Sequence, residues 1–383
     1  DAMSLGLPAI AAEAALHGEP APALEPPVQV RLMRFEGATE LALEIEGTWR
    51  MLDESGTARA EGSGLRGVLR MDPTGIQIGP YLSGLDRLVL ATDGDGALRI
   101  ADERYDGALE VGMLREGARA TGLSLVLHLP LEDYVLGVVC GEMATTAHSV
   151  ASALRAQAVA ARSYALWKLR QRGGALRDTS VDQVFRGLDW HTAAAREAVA
   201  STRGIVLVWE DRLLPAFFHA DCGGATADAA KLGFVPRSIG ALSGSRDPGC
   251  ESTPGWREIV APERLDAVAR ALNLGTWLRE IHALDVDAFG RMLRTRLLGE
   301  KEHFDGPSEE TRVRLSLPSV MWTSARTQAD GGLLVEGRGH GHGVGLCQIG
   351  AKRRARVGED WRAILAHYYP GATLRSLTAD LLD

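Results

Sequence analysis

The stretch LPLEDYVLGVVCGEMATTAHSVASALRAQAVAARSYALWKLRQRGG, residues 129–174, decides how this chain is read. In its second half Val150, Leu154, Ala158, Ala161, Ala165 and Leu169 recur at three- and four-residue spacing. That spacing puts them on one face of a helix over about residues 149–172. Thr145, Thr146 and Ser149 are candidate N-caps, and Gly173-Gly174 is the stop. The small side chains let neighbours approach closely, so the expected position is central and buried. The first half reads as a continuation of the β pattern of LSLVLHL before it, a strand or loop that hands over to the helix. At that hand-over stands Glu142, the only carboxylate between Asp133 and the end of the stretch. Two readings of it stay open. A carboxylate near the start of the following helix is favoured by the helix dipole. An acid flanked by VLGVVCGEM, if buried, has its pKa raised and can protonate a leaving oxygen at neutral pH.

Outward from this stretch, the chain divides. Short alternating runs (VQVRLMRF, LALEIEG, GVLRM, GIQIGP, LDRLVLATD) separated by Gly, Asp and Pro predict a β-rich unit over residues 28–103. Residues 1–27, rich in Pro and Ala toward their end, read as an extended tether. Residues 104–383 read as a mixed α/β catalytic core around the central helix, so the expected fold class is α+β. Within that core, residues 193–204 form a second short helix. A hairpin follows, with strands 205–209 and 213–219 around Glu210-Asp211, and Pro215 places the second strand at an edge or a bulge. The chain closes with a strand, a Gly/His loop and two helices separated by Val357-Gly358.

Composition narrows the function classes. Of the 383 residues, 45% are hydrophobic and 24% charged, as in folded chains. The net charge of −8 and the lack of a dense basic run with interleaved aromatics argue against nucleic acid as a partner. AKRRAR (residues 351–356) is the one local basic cluster and reads as a solvated helix face. No apolar run reaches the roughly 18 residues of a membrane span. The start at DAMSLG, without an initiator Met or a complete signal peptide, reads as a mature or truncated chain. No G-x-S-x-G elbow is present, which speaks against a Ser-His-Asp hydrolase.

Two further motifs carry chemistry. In GRGHGHGVG (residues 337–345), His340 and His342 alternate with glycines. On an extended segment they point the same way, suited to a metal or to sugar hydroxyls. FFHADCGGAT places His219 three residues before Cys222, and Cys250 follows in SRDPGCEST. Three readings stand side by side: a zinc site of His219, Cys222 and Cys250, a Cys222–Cys250 disulfide, or unrelated thiols beside a site-lining His. Cys140 and Cys347 flank the two motif regions and raise a separate question of pairing.

Taken in order, LEDYVLGVVCGEM, ALRAQAVAARSYAL, HADCGGAT, GRGHGHGVGLCQIGAKRRA and ILAHYYPGATL resemble the stage II sporulation protein D (SpoIID) family, which includes the amidase enhancers called LytB. The likeness covers residues 105–374. It implies a peptidoglycan lytic transglycosylase that cleaves the β-1,4 bond between N-acetylmuramic acid and N-acetylglucosamine, with strands stripped of stem peptides preferred in sporulation. The alternative it carries is a non-catalytic, glycan-binding amidase enhancer. By resemblance Glu142 is the catalytic glutamate, acting alone. Gln157, Arg162, Gln183, His340, His342 and Gln348 are the expected glycan contacts, and His219 faces the same cleft. Gln157 and Arg162, five apart, do not share a helix face. Some family members bind zinc, so a structural zinc is carried as an expectation, while the chemistry itself needs no cofactor. Expected partners are glycan strands and a cell-wall amidase, and the expected location is outside the cytoplasmic membrane. The sequence departs from the family where no Pro follows Glu142-Met143, where the next loop is about two residues longer, and where Cys347 replaces the usual Ser.

Overall fold

The computed structural model describes residues 25–382 apart from 94–95, 144–145 and 252–253. Most of the tether, and Thr145 among the candidate caps, lie outside the described residues. The fold is α+β, with helices α1 (Leu131–Met143), α2 (Ala151–Arg172), α3 (Ala193–Ser201), α4 (Pro262–Ala271), α5 (Ser308–Leu315), α6 (Gln348–Arg356) and α7 (Trp361–Tyr368). Two compact units form. One takes residues 1–146, 165–205 and 376–383; the other takes 147–164 and 206–375.

The first unit is built on an eleven-stranded, largely antiparallel sheet. Its backbone is the hairpin of Ala108–Glu116 and Arg119–Pro130, joined on one side by Pro27–Arg31 and then, in parallel, by Leu176–Arg177. The long hairpin Glu40–Leu52 and Ala58–Asp72 extends the other side. The sheet therefore takes strands from both sides of the boundary drawn after residue 103. Residues 122–127 are all buried. Burial on both faces produces a continuous apolar run rather than alternation.

Pro130 ends that strand, and α1 begins at the next residue. The expected strand or loop over residues 131–143 is thus corrected to a helix. Leu131, Tyr134, Val135, Leu136, Gly137, Val138, Val139, Cys140 and Met143 are all buried. A helix buried on every side carries no amphipathic period, so periodicity alone cannot separate it from a buried strand. The acids Glu132 and Asp133 in the first turn mark its N-terminus. The correction moves Glu142 to the last turn of α1, which removes the reading of it as a dipole-stabilised residue at the start of the next helix.

Helix α2 follows a single 3₁₀ turn, His148–Val150. Every residue from Ala156 to Leu166 is buried, so the central position read from the sequence holds. The Gly173 N–H closes the helix on the Leu169 carbonyl at 2.9 Å, with φ +62° at Gly173. Residues 151–164 of α2 belong to the second unit and 165–172 to the first.

In the second unit, strands Ile205–Trp209 and Arg212–Leu213 turn at Glu210 and Asp211, both with positive φ. Two left-handed residues are what a two-residue hairpin of matching twist requires. After Pro215 the chain leaves that hairpin, and Phe218–His219 pairs in parallel with Leu346–Cys347. A three-stranded sheet (Trp256–Val260, Leu333–Gly337, Trp322–Thr327) and a meander (Leu278–Val286, Met292–Gly299, His303–Pro307) pack with α4 and α5 around Leu265, Leu297, Leu315 and Val335.

Asp133, half-buried in the first turn of α1, is pushed from the usual 3.8 up to about 6, first by burial and then by Asp106 and Glu25. A carboxyl whose folded pKa lies above its unfolded one makes the folded state bind more protons, so stability falls as pH rises between the two values. Asp133→Asn is expected to flatten the melting temperature between about pH 4 and pH 6 and to raise it above pH 6. Thermal melts of both proteins across that range check this.

Candidate active site and thiol cluster

Glu142 is half-buried at the end of α1. Its Oε1 accepts the backbone N–H of Val184 at 2.8 Å. The segment carrying Val184 lies unusually close to the helix. A Cβ on Gly141 would sit 2.3 Å from the Val184 carbonyl oxygen, and one on Gly137 would sit 2.3 Å from the Phe185 ring. Gly137 and Gly141 are four apart, hence on one helix face. The Arg186 N–H donates to the Gly137 carbonyl at 3.2 Å. Phe185 stacks on Tyr134 with ring centroids 5.7 Å apart. The Tyr134 hydroxyl donates to Gln183 Oε1 at 2.9 Å. Glu103 takes the Gly187 N–H and pairs with Arg34. Gln183, expected as a glycan contact, therefore anchors this segment through Tyr134. Glu142 and Gln183 come together in the first unit, through α1.

Asp133 sits nine residues earlier on α1, about 13 Å along the helix axis at 1.5 Å per residue. Asp182 is held by the Arg177 N–H at 3.0 Å, by Lys168 Nζ at 3.4 Å and by Arg177 Nε at 3.6 Å.

The other expected site residues lie in the second unit. Gln157 and Gln348 meet there: Gln348 Nε2 donates to Gln157 Oε1 at 3.5 Å. Arg162 is fully buried on α2, with Nη1 3.5 Å from the Ala158 carbonyl. His340 is exposed, and its backbone exchanges two hydrogen bonds with Asp221 (3.0 and 2.7 Å). His342 is instead packed among Phe234, His219 and Phe217. Burial, followed by His219 and nearby arginines, holds its pKa well below the ordinary value, so the ring is neutral at pH 7. Its Nδ1 accepts the Val344 N–H at 3.0 Å, which puts the proton on Nε2. The expectation that the two histidines point the same way from an extended segment is corrected. Gly339, Gly341, Gly343 and Gly345 all have positive φ, so the period of two does not apply. Close packing explains much of the glycine pattern: a Cβ at Gly345 would lie 2.0 Å from the Phe217 carbonyl oxygen, and one at Gly343 would lie 2.4 Å from the Arg291 guanidinium.

The cysteines arrange differently from the sequence reading. All four are free and buried, so Cys222 and Cys250 are not joined. Cys140 stays on α1, while Cys347 groups with Cys222 and Cys250. The Sγ atoms of Cys250 and Cys347 are 3.6 Å apart. Together with an Asp221 oxygen, the three sulfurs lie within 4.8 Å of one another. His219 is outside that group: its Nδ1 bonds the Val344 carbonyl at 3.1 Å, and its buried Nε2 has no hydrogen-bond partner. Asp247 lies alongside, its Oδ2 accepting from Tyr368 (2.6 Å) and contacting the Cys250 (3.5 Å) and Cys222 (3.7 Å) sulfurs. Arg291, fully buried, donates to the Cys222 and Ala225 carbonyls at 2.8 Å.

The sequence reading missed Val184, Asp221, Asp247, Arg291 and the grouping of Cys347. Val184 acts through its backbone N–H, which no side-chain pattern reveals. The i, i+4 glycines of GVVCG were the available signal that something approaches α1 closely, once the segment is read as helix. Gly141→Ala is expected to push the Val184 strand of chain away from Glu142. Overpacking of this kind costs about 1–3 kcal/mol, read as a lower denaturation midpoint, and any activity that needs Glu142 falls with it.

Comparison with known proteins places this geometry. Residues 119–209, which span α1, α2 and the Val184 segment, match the family model SpoIID: Stage II sporulation protein. The chain is 29% identical to an uncharacterized protein of Brachyspira hyodysenteriae over 65% of its own length and 68% of that protein's. It is 27% identical to stage II sporulation protein D of Bacillus subtilis, covering 67% of this chain and 77% of that one. It is also 27% identical to the amidase enhancer of Bacillus subtilis, over 63% of this chain but only 40% of the relative. The stretch that matches the SpoIID family model holds the glutamate, the glycine face of its helix and the segment that grips it, and over about two thirds of its length the chain is similar to stage II sporulation protein D.

Proposed function

We propose that this protein is a lytic transglycosylase that cleaves the β-1,4 bond between N-acetylmuramic acid and N-acetylglucosamine in peptidoglycan, with Glu142 as its single acid and base. The observation that carries the reading is one carboxylate, at the end of α1, fixed through Oε1 by the Val184 N–H. The other acids discussed sit about 13 Å along the helix (Asp133) or are tied to cations (Asp182). Ordinary glycoside hydrolysis uses two carboxylates about 5–9.5 Å apart. One suffices when the nucleophile is part of the substrate. Glu142 protonates the leaving O4 of N-acetylglucosamine; the C6 hydroxyl of the muramic acid attacks C1 and returns its proton to Glu142. The product is a 1,6-anhydro end, and no water is consumed. Tethering the nucleophile gives the effective-concentration gain of an intramolecular reaction.

Gln157, Arg162, His340, His342 and Gln348 are part of this proposal as glycan contacts. The substrate places the protein outside the cytoplasmic membrane. Among the described residues no helix is long and apolar enough to cross a membrane.

A second reading has its own support. The likeness to an amidase enhancer extends over 63% of this chain. In that reading the protein binds glycan, assists a cell-wall amidase and cleaves nothing. Mass spectrometry of products from purified glycan strands, with and without stem peptides, separates the two. Under the transglycosylase reading the wild type yields anhydro-muramic ends, and Glu142→Gln loses roughly 10²–10⁴-fold in rate, the usual worth of a positioned acid–base group. Reducing ends would sink the one-carboxylate mechanism. Strand binding with no cleavage by the wild type would establish the enhancer reading.

A further inference from the structure

We propose that Cys222, Cys250, Cys347 and Asp221 bind one zinc ion, in a closed site that holds the second unit together and takes no part in glycan chemistry. The donors come from three segments remote in sequence. Residues 221–222 follow the Phe218–His219 strand, Cys250 closes the 3₁₀ turn Pro248–Cys250, and Cys347 ends the Leu346–Cys347 strand. The His219↔Cys347 pairing and the Asp247 N–H bond to the Gly224 carbonyl (2.8 Å) bring these segments together. All four donors are at most 4% exposed.

The spacing suits the metal. Zinc–thiolate bonds of about 2.3 Å in a tetrahedron set sulfurs about 3.8 Å apart. Cys250 and Cys347 stand at 3.6 Å, and all four donor atoms fall within 4.8 Å of one another.

The surroundings suit thiolates. Cys347 is the N-cap of α6, and its Sγ accepts the backbone N–H groups of Gly350 and Cys222, both at 3.3 Å. A helix N-terminus and N–H donors favour the ionised sulfur. Arg291 brings a buried positive charge to the backbone of Cys222. Asp247 is already paired with Arg354 at 3.6 Å, whereas Asp221 is a carboxylate buried beside the three sulfurs, an arrangement that costs free energy unless it is compensated. Asp247 serves from outside the ligand set: it contacts the sulfurs of Cys222 and Cys250 and is itself fixed by the Tyr368 hydroxyl. Such outer partners orient metal ligands. Space is fully used, since a Cβ at Gly350 would lie 2.3 Å from Asp247 Oδ2 and 3.2 Å from Cys250 Sγ. A site this enclosed leaves no open position for substrate, which marks it as structural.

The test is metal content and thiol protection in the full chain, purified under reducing conditions. Elemental analysis is expected to find one zinc per chain. A strong chelator should remove it, lower the melting temperature by roughly 5–10 °C, and open Cys222, Cys250 and Cys347 to alkylation while Cys140 is unchanged. Cys347→Ser should lose the zinc and His219→Ala should keep it. If Cys347→Ser does not fold, cobalt substitution of the wild-type chain reads the ligands directly, through intense tetrahedral bands and thiolate-to-cobalt charge transfer. A metal-free chain as stable as the zinc-supplemented one would overturn the proposal. So would a disulfide among the three cysteines, or zinc retained by Cys347→Ser and lost by His219→Ala.

Discussion

The approach of the Gln183–Gly187 segment to α1 is the contact on which the proposed chemistry depends. It is possible only because Gly137 and Gly141 present bare backbone on one face of the helix. That closeness brings the Val184 N–H to Glu142 and the Arg186 N–H to the Gly137 carbonyl. Phe185 fills the space beside Tyr134, and Tyr134 in turn holds Gln183. Residues on both sides of α2 in the sequence thus meet on α1, and the glutamate is positioned by packing before any substrate arrives. Preorganised groups of this kind avoid the reorganisation that a flexible acid would undergo at the moment of reaction.

The second unit solves a comparable problem with different means. The glycine loop over residues 337–345 lies against residues 217–223, and alternate left-handed residues let it do so without side-chain clashes. This leaves His340 exposed and His342 packed among aromatic rings, two environments for residues that look equivalent in sequence. Next to that loop, three sulfurs and two carboxylates share a buried interior with Arg291. The unit has aliphatic packing around α4 and α5 in one region and a polar, sulfur-rich cluster in another. The two regions cohere for different physical reasons, one by burial of apolar surface and the other by buried hydrogen bonds and ion pairs.

Several features were legible because they rest on local rules. The span of α2 followed from three- and four-residue spacing and its Gly-Gly stop. The hairpin turn at Glu210-Asp211 followed from two apolar runs around it, but the second strand read over 213–219 ends at Leu213, and Phe218–His219 pairs elsewhere. The single carboxylate of the GEM motif was visible as a lone acid in an apolar run, and the order of five motifs matched the family. The failures have a common cause. Residues 131–139 read as β because a helix buried on all sides and a buried strand both give unbroken apolar runs. The histidines of the glycine loop were assigned one face because the period of two assumes extended backbone, and four positive φ values break that assumption.

Sequence by itself determined the α+β class, the central helix, the candidate acid and the resemblance to the SpoIID family, since all of these are written in spacing and in short contiguous motifs. Tertiary structure alone decided that Glu142 ends a helix, that its carboxylate is held by a backbone N–H 42 residues away, and that Cys347 rather than His219 joins Cys222 and Cys250. The physical reason is the same in each case. Backbone donors carry no sequence signature, and the partners of a thiol are set by which remote segments pack together, which three-residue spacings such as His219 to Cys222 do not encode.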